Sequence, residues 1–302
     1  MGFEYYEPTT LDESLDLLAQ EGDAGAALAG GTDLLLRIRR HIRSYRSVIN
    51  IKYVPGLDGM RWDSSEGLRL GAITTFRAIE MNPTVIANYP ALAEGARVVA
   101  GVQLRNLATI GGNLGNGSPS ADSVPPLVAL GATVTIASKA NPRTLPVEEC
   151  LTGPGRTVLS PGEIFSSIQI PAPAARNGNA YERFSPRSAM DIGIASVAAS
   201  LTLGADGRCK DARIALGAVS PVPLRATAAE DALRGEQMTD GLIAHAADLA
   251  AGAAQPISDL RGSADYRRAM VGVLTRRMLH LAWQRADAPA VQAMPATNGH
   301  RA

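Results

Sequence analysis

The chain reads as an α+β protein in two parts: α/β units over residues 1–176, then a smaller unit over 177–286 with a small antiparallel sheet and helices. Three observations carry this. Short apolar runs alternate with amphipathic stretches in the first part, the pattern of an α/β fold with mixed sheets. Pro171 to Asn179, rich in Pro, Ala, Asn and Gly, has the composition of a linker and sets the boundary. Beyond it, strand-like segments come first and helix-like ones afterwards, an α+β order.

The elements follow in order. Leu11 to Ala19 has leucines at helical spacing behind acidic first-turn residues. Ala26 to Ala29 reads as a buried strand, Asp33 to His41 as a helix and Ser47 to Ile51 as a second strand, which closes a subdomain over 1–54. In the second subdomain, 55–176, Leu68 to Ala72 alternates as a strand does, and Thr74 can cap a helix over Phe76 to Met81. Pro90 to Ala100 and Ser123 to Leu130 read as helices, Ala132 to Ala137 and Ile164 to Ile170 as strands. The C-terminal unit offers strands at Ala195 to Leu203 and Asp211 to Gly217. Its helices fall near 227–233, 241–253 and 266–286. The Ala/Pro/Asn-rich residues 287–302 read as a disordered tail.

Composition excludes several function classes. With 302 residues and 46% hydrophobic content the chain can bury more than one core. Lys plus Arg and Asp plus Glu are equal at 29 each, so charge argues for neither nucleic acid nor an anionic membrane. Cys150 and Cys209 are too few for a disulfide scaffold, a cysteine-ligated iron–sulfur cluster or a four-cysteine zinc site. The four histidines are scattered, so a protein-borne metal site is not expected, and a redox enzyme of this composition needs an organic cofactor. No signal peptide or bilayer-length apolar stretch is visible, so a soluble, cytoplasmic protein is expected.

Two glycine-rich segments dominate the sequence: Ala29-Gly30-Gly31-Thr32-Asp33, and Thr109-Ile110-Gly111-Gly112-Asn113 with its continuation to Asp122. Glycine lets a ligand come close to the main chain, and successive amides in such turns bind anions, as helix N-termini do. A phosphorylated cofactor held between two loops is the sharper reading. The bland ones are a hairpin about Asn116-Gly117 and an ordinary strand-to-helix connection at Gly30-Gly31. Position 120 is Ser120, which breaks the dinucleotide GxGxxG spacing, and no GxxxxGK run exists. Arg37, Arg39, Arg40, Arg43 and Arg46 crowd one segment, either as a solvated helical face or as a docking surface.

These motifs resemble the FAD-binding subunits of molybdenum hydroxylases, the family of the carbon monoxide dehydrogenase medium subunit and the xanthine dehydrogenase flavin domain. The likeness continues through Ser118-Pro119-Ser120-Ala121-Asp122, Arg187 to Ile192, Leu216 to Pro223 and Tyr266-Arg267-Arg268, covering residues 3–285. It implies a fold of the p-cresol methylhydroxylase or vanillyl-alcohol oxidase type, with two α/β subdomains clasping FAD. On that pattern Ala29, Gly30, Gly31, Thr32 and Asp33, with Thr109, Ile110, Gly111, Gly112 and Asn113, contact the diphosphate and ribityl region. Asp122 lies near the adenosine half. Val99, Gly101 and Phe165 lie by the isoalloxazine, and Arg183 stands where xanthine dehydrogenases have a lysine near the flavin. Thr32-Asp33 replaces the His-Ser of carbon monoxide dehydrogenases, which looks more like members acting on aldehydes, N-heterocycles or aromatic thioesters.

The resemblance also implies partners: a large molybdopterin subunit that hydroxylates substrate and a small 2Fe–2S subunit that relays electrons, assembled as a dimer of heterotrimers. No catalytic residue is expected on this chain. The competing readings are a self-sufficient flavin oxidase or reductase of the same superfamily and a non-enzymatic nucleotide-binding scaffold. Gly111→Val or Gly112→Val is expected to abolish flavin retention while leaving the chain folded.

Overall fold

The computed structural model describes residues 2–187 and 190–288. Ser188 and Ala189 of the Arg187 to Ile192 motif, and residues 289–302 of the expected tail, lie outside the described residues.

The first subdomain comprises β1 (Glu4–Tyr6), α1 (Leu11–Glu21), β2 (Gly25–Leu28), α2 (Leu34–Arg39) and β3 (Ser47–Asn50). Its three strands form a parallel sheet in the order β1-β3-β2. The central strand, β3, is buried along its whole length, as a parallel strand covered on both faces should be. Thr10 caps α1 by accepting from the Glu13 amide at 3.2 Å, which satisfies one orphan donor of the first turn, while the Glu13 carboxylate accepts from the Thr9 amide just before the cap. Leu15 and Leu18 then point from α1 into a core containing Ile49.

The second subdomain begins with β4 (Met60–Asp63) and β5 (Gly67–Gly71). Six helices follow: α3 (Phe76–Met81), α4 (Pro83–Asn88), α5 (Pro90–Val98), α6 (Val102–Arg105), α7 (Ile110–Asn116) and α8 (Val124–Ala129). Then come β6 (Thr133–Ala137), β7 (Arg143–Pro146), the small hairpin β8 (Leu151–Gly153) and β9 (Arg156–Thr157), and β10 (Ile164–Ile170). The five-stranded sheet has the order β4-β5-β10-β6-β7 and is antiparallel throughout. Mixed sheets were the expectation; each sheet is instead purely parallel or purely antiparallel. The reason is local: β4 and β5 form a tight hairpin, and β10 returns between β5 and β6 with no crossover helix. The cap of α3 is Thr75, whose hydroxyl accepts from the Ala78 amide, rather than Thr74, whose hydroxyl donates to the Gly59 carbonyl.

The C-terminal unit is an antiparallel meander of β11 (Asn177–Phe184), β12 (Ala195–Leu203), β13 (Cys209–Gly217) and β14 (Leu224–Arg225). It is followed by α9 (Thr227–Leu233), α10 (Asp240–Ala253) and α11 (Ala264–Asp287). Strand period two explains how it docks. Ala180, Val197 and Ala199 face the core shared with the helices, whereas Tyr181, Ala198 and Ala215 join the core of the second subdomain. The sheet is thus buried on both faces and welds the two parts together. Asp287, expected in the tail, is the last residue of α11. No helix among the described residues is long and apolar enough to cross a membrane.

Candidate functional site

The second glycine segment is a helix. Thr109 is the N-cap of α7 and accepts from the Gly112 amide at 3.2 Å; Gly117, at φ 64°, ends the helix in the left-handed region. The Asn116-Gly117 pair is therefore a helix terminus and not a hairpin turn. Helical spacing sorts the segment into two faces. Ile110, Gly111 and Leu114 are buried, whereas Gly112, Gly115, Asn113 and Asn116 face outward.

That outward face forms one wall of a cleft of about 800 Å³, and the first glycine segment forms another. The two walls touch. A Cβ on Gly30 would lie 2.1 Å from the Leu107 carbonyl, and one on Gly112 would lie 3.8 Å from the Ala29 Cβ. Gly30 is thus required so that the first segment can pack against the chain leading into the second.

The amides divide unequally between the segments. Those of Ile110 and Gly111 donate to the Thr74 and Ala72 carbonyls, Gly112 donates to Thr109 and Asn113 to the Thr109 carbonyl. None of these four is left for a ligand. The amides of Gly30, Gly31, Thr32 and Asp33 donate to no acceptor among the described residues. Gly31 has φ 74°, and successive N–H groups in such a turn form an anion-binding concavity. The weaker motif in the sequence thus carries the free donors, and the stronger one supplies the Asn113 and Asn116 side chains and a smooth glycine face. Ser123 fixes Asn113 by donating to its Oδ1 at 2.7 Å.

A second cavity of about 580 Å³ adjoins the first, and Asp33, Val99, Ala100, Leu104, Asn113 and Asn116 line both. Its far wall comes from the C-terminal unit. Arg183 on β11 donates through Nη1 to Asp122 Oδ2 at 2.8 Å, and the Tyr181 hydroxyl donates to Asp122 Oδ1 at 2.7 Å. Burial pushes the Asp122 carboxyl up to about 6, outweighing the pull of Arg183 and Tyr181. The same burial, with Asp122 beside it, raises the Tyr181 phenol well above its usual range.

The expected site residues separate accordingly. Ala29, Gly30, Gly31, Thr32, Asp33, Val99, Thr109, Gly111, Gly112, Asn113 and Phe165 line the larger cleft. Asp122 and Arg183 line only the adjoining cavity. Ile110 is fully buried beneath the cleft, and Gly101 lines neither cavity, lying instead 3.5 Å (from an ideal Cβ) from the Met190 sulfur. Sequence reasoning missed Ala100, held at φ 43° between the two cavities, and Tyr181; it singled out Arg37, as part of a solvated face or docking surface, and Asn116, within the second glycine segment, without naming either as a site residue. Only the glycine-segment spacing could have pointed to Asn116.

The chain belongs to the family of FAD-binding domains in molybdopterin dehydrogenases, whose model matches residues 1–173, and the C-terminal domain of carbon monoxide dehydrogenase flavoproteins matches residues 180–282. Its cofactor is FAD, and it is of the oxidoreductase class. Among similar proteins, the carbon monoxide dehydrogenase medium chain of Hydrogenophaga pseudoflava is 34% identical, over 94% of this chain and 98% of its own. The nicotine 6-hydroxylase medium subunit of Paenarthrobacter nicotinovorans is 33% identical over 91% of this chain and 95% of its own. Among solved structures, the carbon monoxide dehydrogenase of Hydrogenophaga pseudoflava superposes with a TM-score of 0.90 at 36% identity, over 94% of this chain and 98% of that one. Quinoline 2-oxidoreductase from Pseudomonas putida gives 0.87 at 31% identity, over 95% and 98%.

The residues present fit a flavin dinucleotide. Two adjoining cavities give the length, the free amides at Gly30 to Asp33 suit a diphosphate, and Gly112 and Gly115 leave room for close approach. Arg183 Nη2 is buried with no hydrogen-bond partner among the described residues, although Nη1 is engaged, which leaves a desolvated donor for a carbonyl-type acceptor.

Proposed function

We propose that this chain is the electron-transfer subunit of a heteromeric molybdenum hydroxylase. It takes electrons from a 2Fe–2S subunit and delivers them to an external acceptor, while a large molybdopterin subunit hydroxylates the substrate. Assembly as a dimer of heterotrimers in the cytoplasm belongs to the same reading. The observation that supports it most is the likeness, over more than nine-tenths of the chain, to medium subunits of carbon monoxide dehydrogenase and nicotine 6-hydroxylase. Among the described residues neither cavity is lined by a histidine or a cysteine; of the lining carboxylates Glu163 is engaged by Arg143 and Asp122 by Arg183, while Asp23 and Asp33 form no ion pair.

Bound FAD supplies the means to accept electrons singly and discharge them in pairs. The protein binds and orients. The free amides and Asn113 would hold the diphosphate and ribityl region, Val99 and Phe165 would give apolar walls, and Arg183 would offer its free donor to the isoalloxazine; Asp122, which meets Arg183 at 2.8 Å, then belongs to that end of the site and not beside the adenosine half. Thr109 acts indirectly by capping the helix that carries Gly112 and Asn113.

Native purification tests the reading. The expected result is a yellow complex that releases FAD on denaturation and holds a larger molybdenum protein and a smaller iron–sulfur protein. A flavin-loaded chain that purifies alone and oxidises a small donor unaided would overturn it in favour of a self-sufficient enzyme.

A further inference from the structure

The Arg37 guanidinium reaches across the larger cleft. It sits in α2, just beyond the first glycine segment, and its Nη2 donates to Asn116 Oδ1 at 2.6 Å, at the last turn of the second. Two further arginines line the same cleft, Arg43, whose guanidinium lies 5.0 Å from the Tyr45 ring centroid, and Arg156, but neither is bonded to the opposite glycine segment; Arg46 pairs with Glu21 at 2.8 Å. Arg37 is half-buried, lines the cleft, and forms no ion pair with a carboxylate among the described residues. Its bonded partner is a neutral amide, so no carboxylate occupies its donors in this partly desolvated wall. The two carboxylates that also line this cleft without an ion pair among the described residues are Asp23 and Asp33, both part of the same first subdomain.

We propose that Arg37, the cleft arginine that joins the two glycine segments, neutralises the cofactor diphosphate, and that its bond to Asn116 is a clasp coupling those segments when the dinucleotide enters. The free amides of Gly30 to Asp33 can donate hydrogen bonds but carry no net charge, and a doubly anionic diphosphate in a half-closed cleft needs a cation. A guanidinium has five donors in a fixed fork; one is spent on Asn116, and the others remain for phosphate oxygens. Asn116 sets the fork's orientation and ties the ligand's two walls together. The inference rests on FAD occupying the cleft and adds to it a named cation.

The test is FAD binding by the deflavinated full-length chain, followed by flavin fluorescence over a range of salt, with riboflavin as a probe that lacks phosphate. Loss of a charge-assisted hydrogen bond predicts that Arg37→Gln weakens FAD roughly ten- to a hundredfold and flattens the salt dependence. Riboflavin binding stays unchanged. Arg37→Lys, which keeps a point charge, falls in between, and Asn116→Ala loses less than Arg37→Gln. An Arg37→Gln chain that binds FAD within twofold of the parent, or loses riboflavin equally, overturns the proposal. If Arg37→Gln does not fold, Arg37→Met, which also removes the charge, decides by the same criterion. A parent chain that binds no FAD would instead sink the cofactor reading itself.

Discussion

Asp122 and Arg183 lie 61 positions apart in the chain, one in the FAD-binding part and one on the first strand of the C-terminal sheet, yet their side chains meet at 2.8 Å. The Tyr181 hydroxyl completes the cluster, and Asp122 is almost fully withdrawn from water. Desolvation holds its pKa up at about 6, above the ordinary 3.8. The sign follows. Between about pH 4 and 6 the native state binds more protons at this site than the unfolded chain, so this residue's contribution to stability falls as pH rises through that window. Asp122→Asn should therefore lose that component, with its Tm rising relative to the parent as pH goes from 4 to 6. Parallel Tm-against-pH curves for the two chains would show that the carboxyl is already ionised when buried.

The glycines of α7 should not respond alike to substitution. A Cβ on Gly111 would sit 2.6 Å from the Ala72 Cβ and 2.7 Å from the Ala72 carbonyl oxygen, whereas one on Gly115 has only the Phe165 ring edge at 3.9 Å. Gly111 is therefore a packing requirement of the fold. Gly111→Ala should cost about 1–3 kcal/mol through overpacking, and the valine variant more. Gly115→Ala should keep or raise the melting temperature of the flavin-free chain, since alanine is about 1 kcal/mol better in a helix. This revises the expectation that Gly111→Val leaves a folded, flavin-free chain: the loss should appear in thermal unfolding with no cofactor present. Equal melting temperatures for Gly111→Ala and the parent would refute the packing argument.

Long periodic elements were legible in the sequence because burial imposes their pattern. The β10 segment and the α9, α10 and α11 helices stand where apolar spacing put them, within two residues at each end. Short edge strands such as β4 and β7 were missed because a half-exposed four-residue strand shows little alternation. The whole of β11, Asn177–Phe184, was also missed, and its start was hidden for a more specific reason. Asn177-Gly178-Asn179 looks like a linker, but a Cβ on Gly178 would meet the Ala282 carbonyl at 2.0 Å, so the glycine marks where α11 lies against the strand. In the site, the glycine segments announced a cofactor cradle. Which segment keeps its amides free was not legible, because that depends on α7 donating to the backbone of residues 72–74. The Arg37–Asn116 and Asp122–Arg183 pairs are products of tertiary folding, and no local pattern encodes them.

Asn179 is the polar joint between the two parts of the molecule. Only 2% exposed, it accepts from the Ala91 amide at 2.9 Å through Oδ1 and donates to the Asn88 carbonyl through Nδ2. Ala91 lies in the first turn of α5, where backbone amides have no partner within the helix. Asn179→Ala strands a buried donor and should cost about 1–3 kcal/mol. Asn179→Asp keeps the acceptor and should recover part of the loss in a denaturant titration. If alanine and aspartate variants unfold at the same denaturant concentration as the parent, water has replaced the amide and the joint is not structural.

Cys150 and Cys209 offer a measurement of how tightly both cores close. Each thiol is fully buried and unpaired, one in the core of the second subdomain and one in that of the C-terminal unit. Burial pushes Cys150 up to about 12 and Cys209 up to about 11, with Glu149 and Asp211 adding to it. The thiolate is the reacting species, so at pH 8 almost none is available, and a bulky disulfide reagent cannot reach the sulfur. The native chain should show no fast-reacting thiol, and both should react at once in strong denaturant. Because the two cysteines sit in separate cores, their rates in intermediate denaturant report on each part independently. Cys150→Ser and Cys209→Ser chains assign the phases, and a fast phase from Cys209 alone under native conditions would mean that the C-terminal unit opens without the rest.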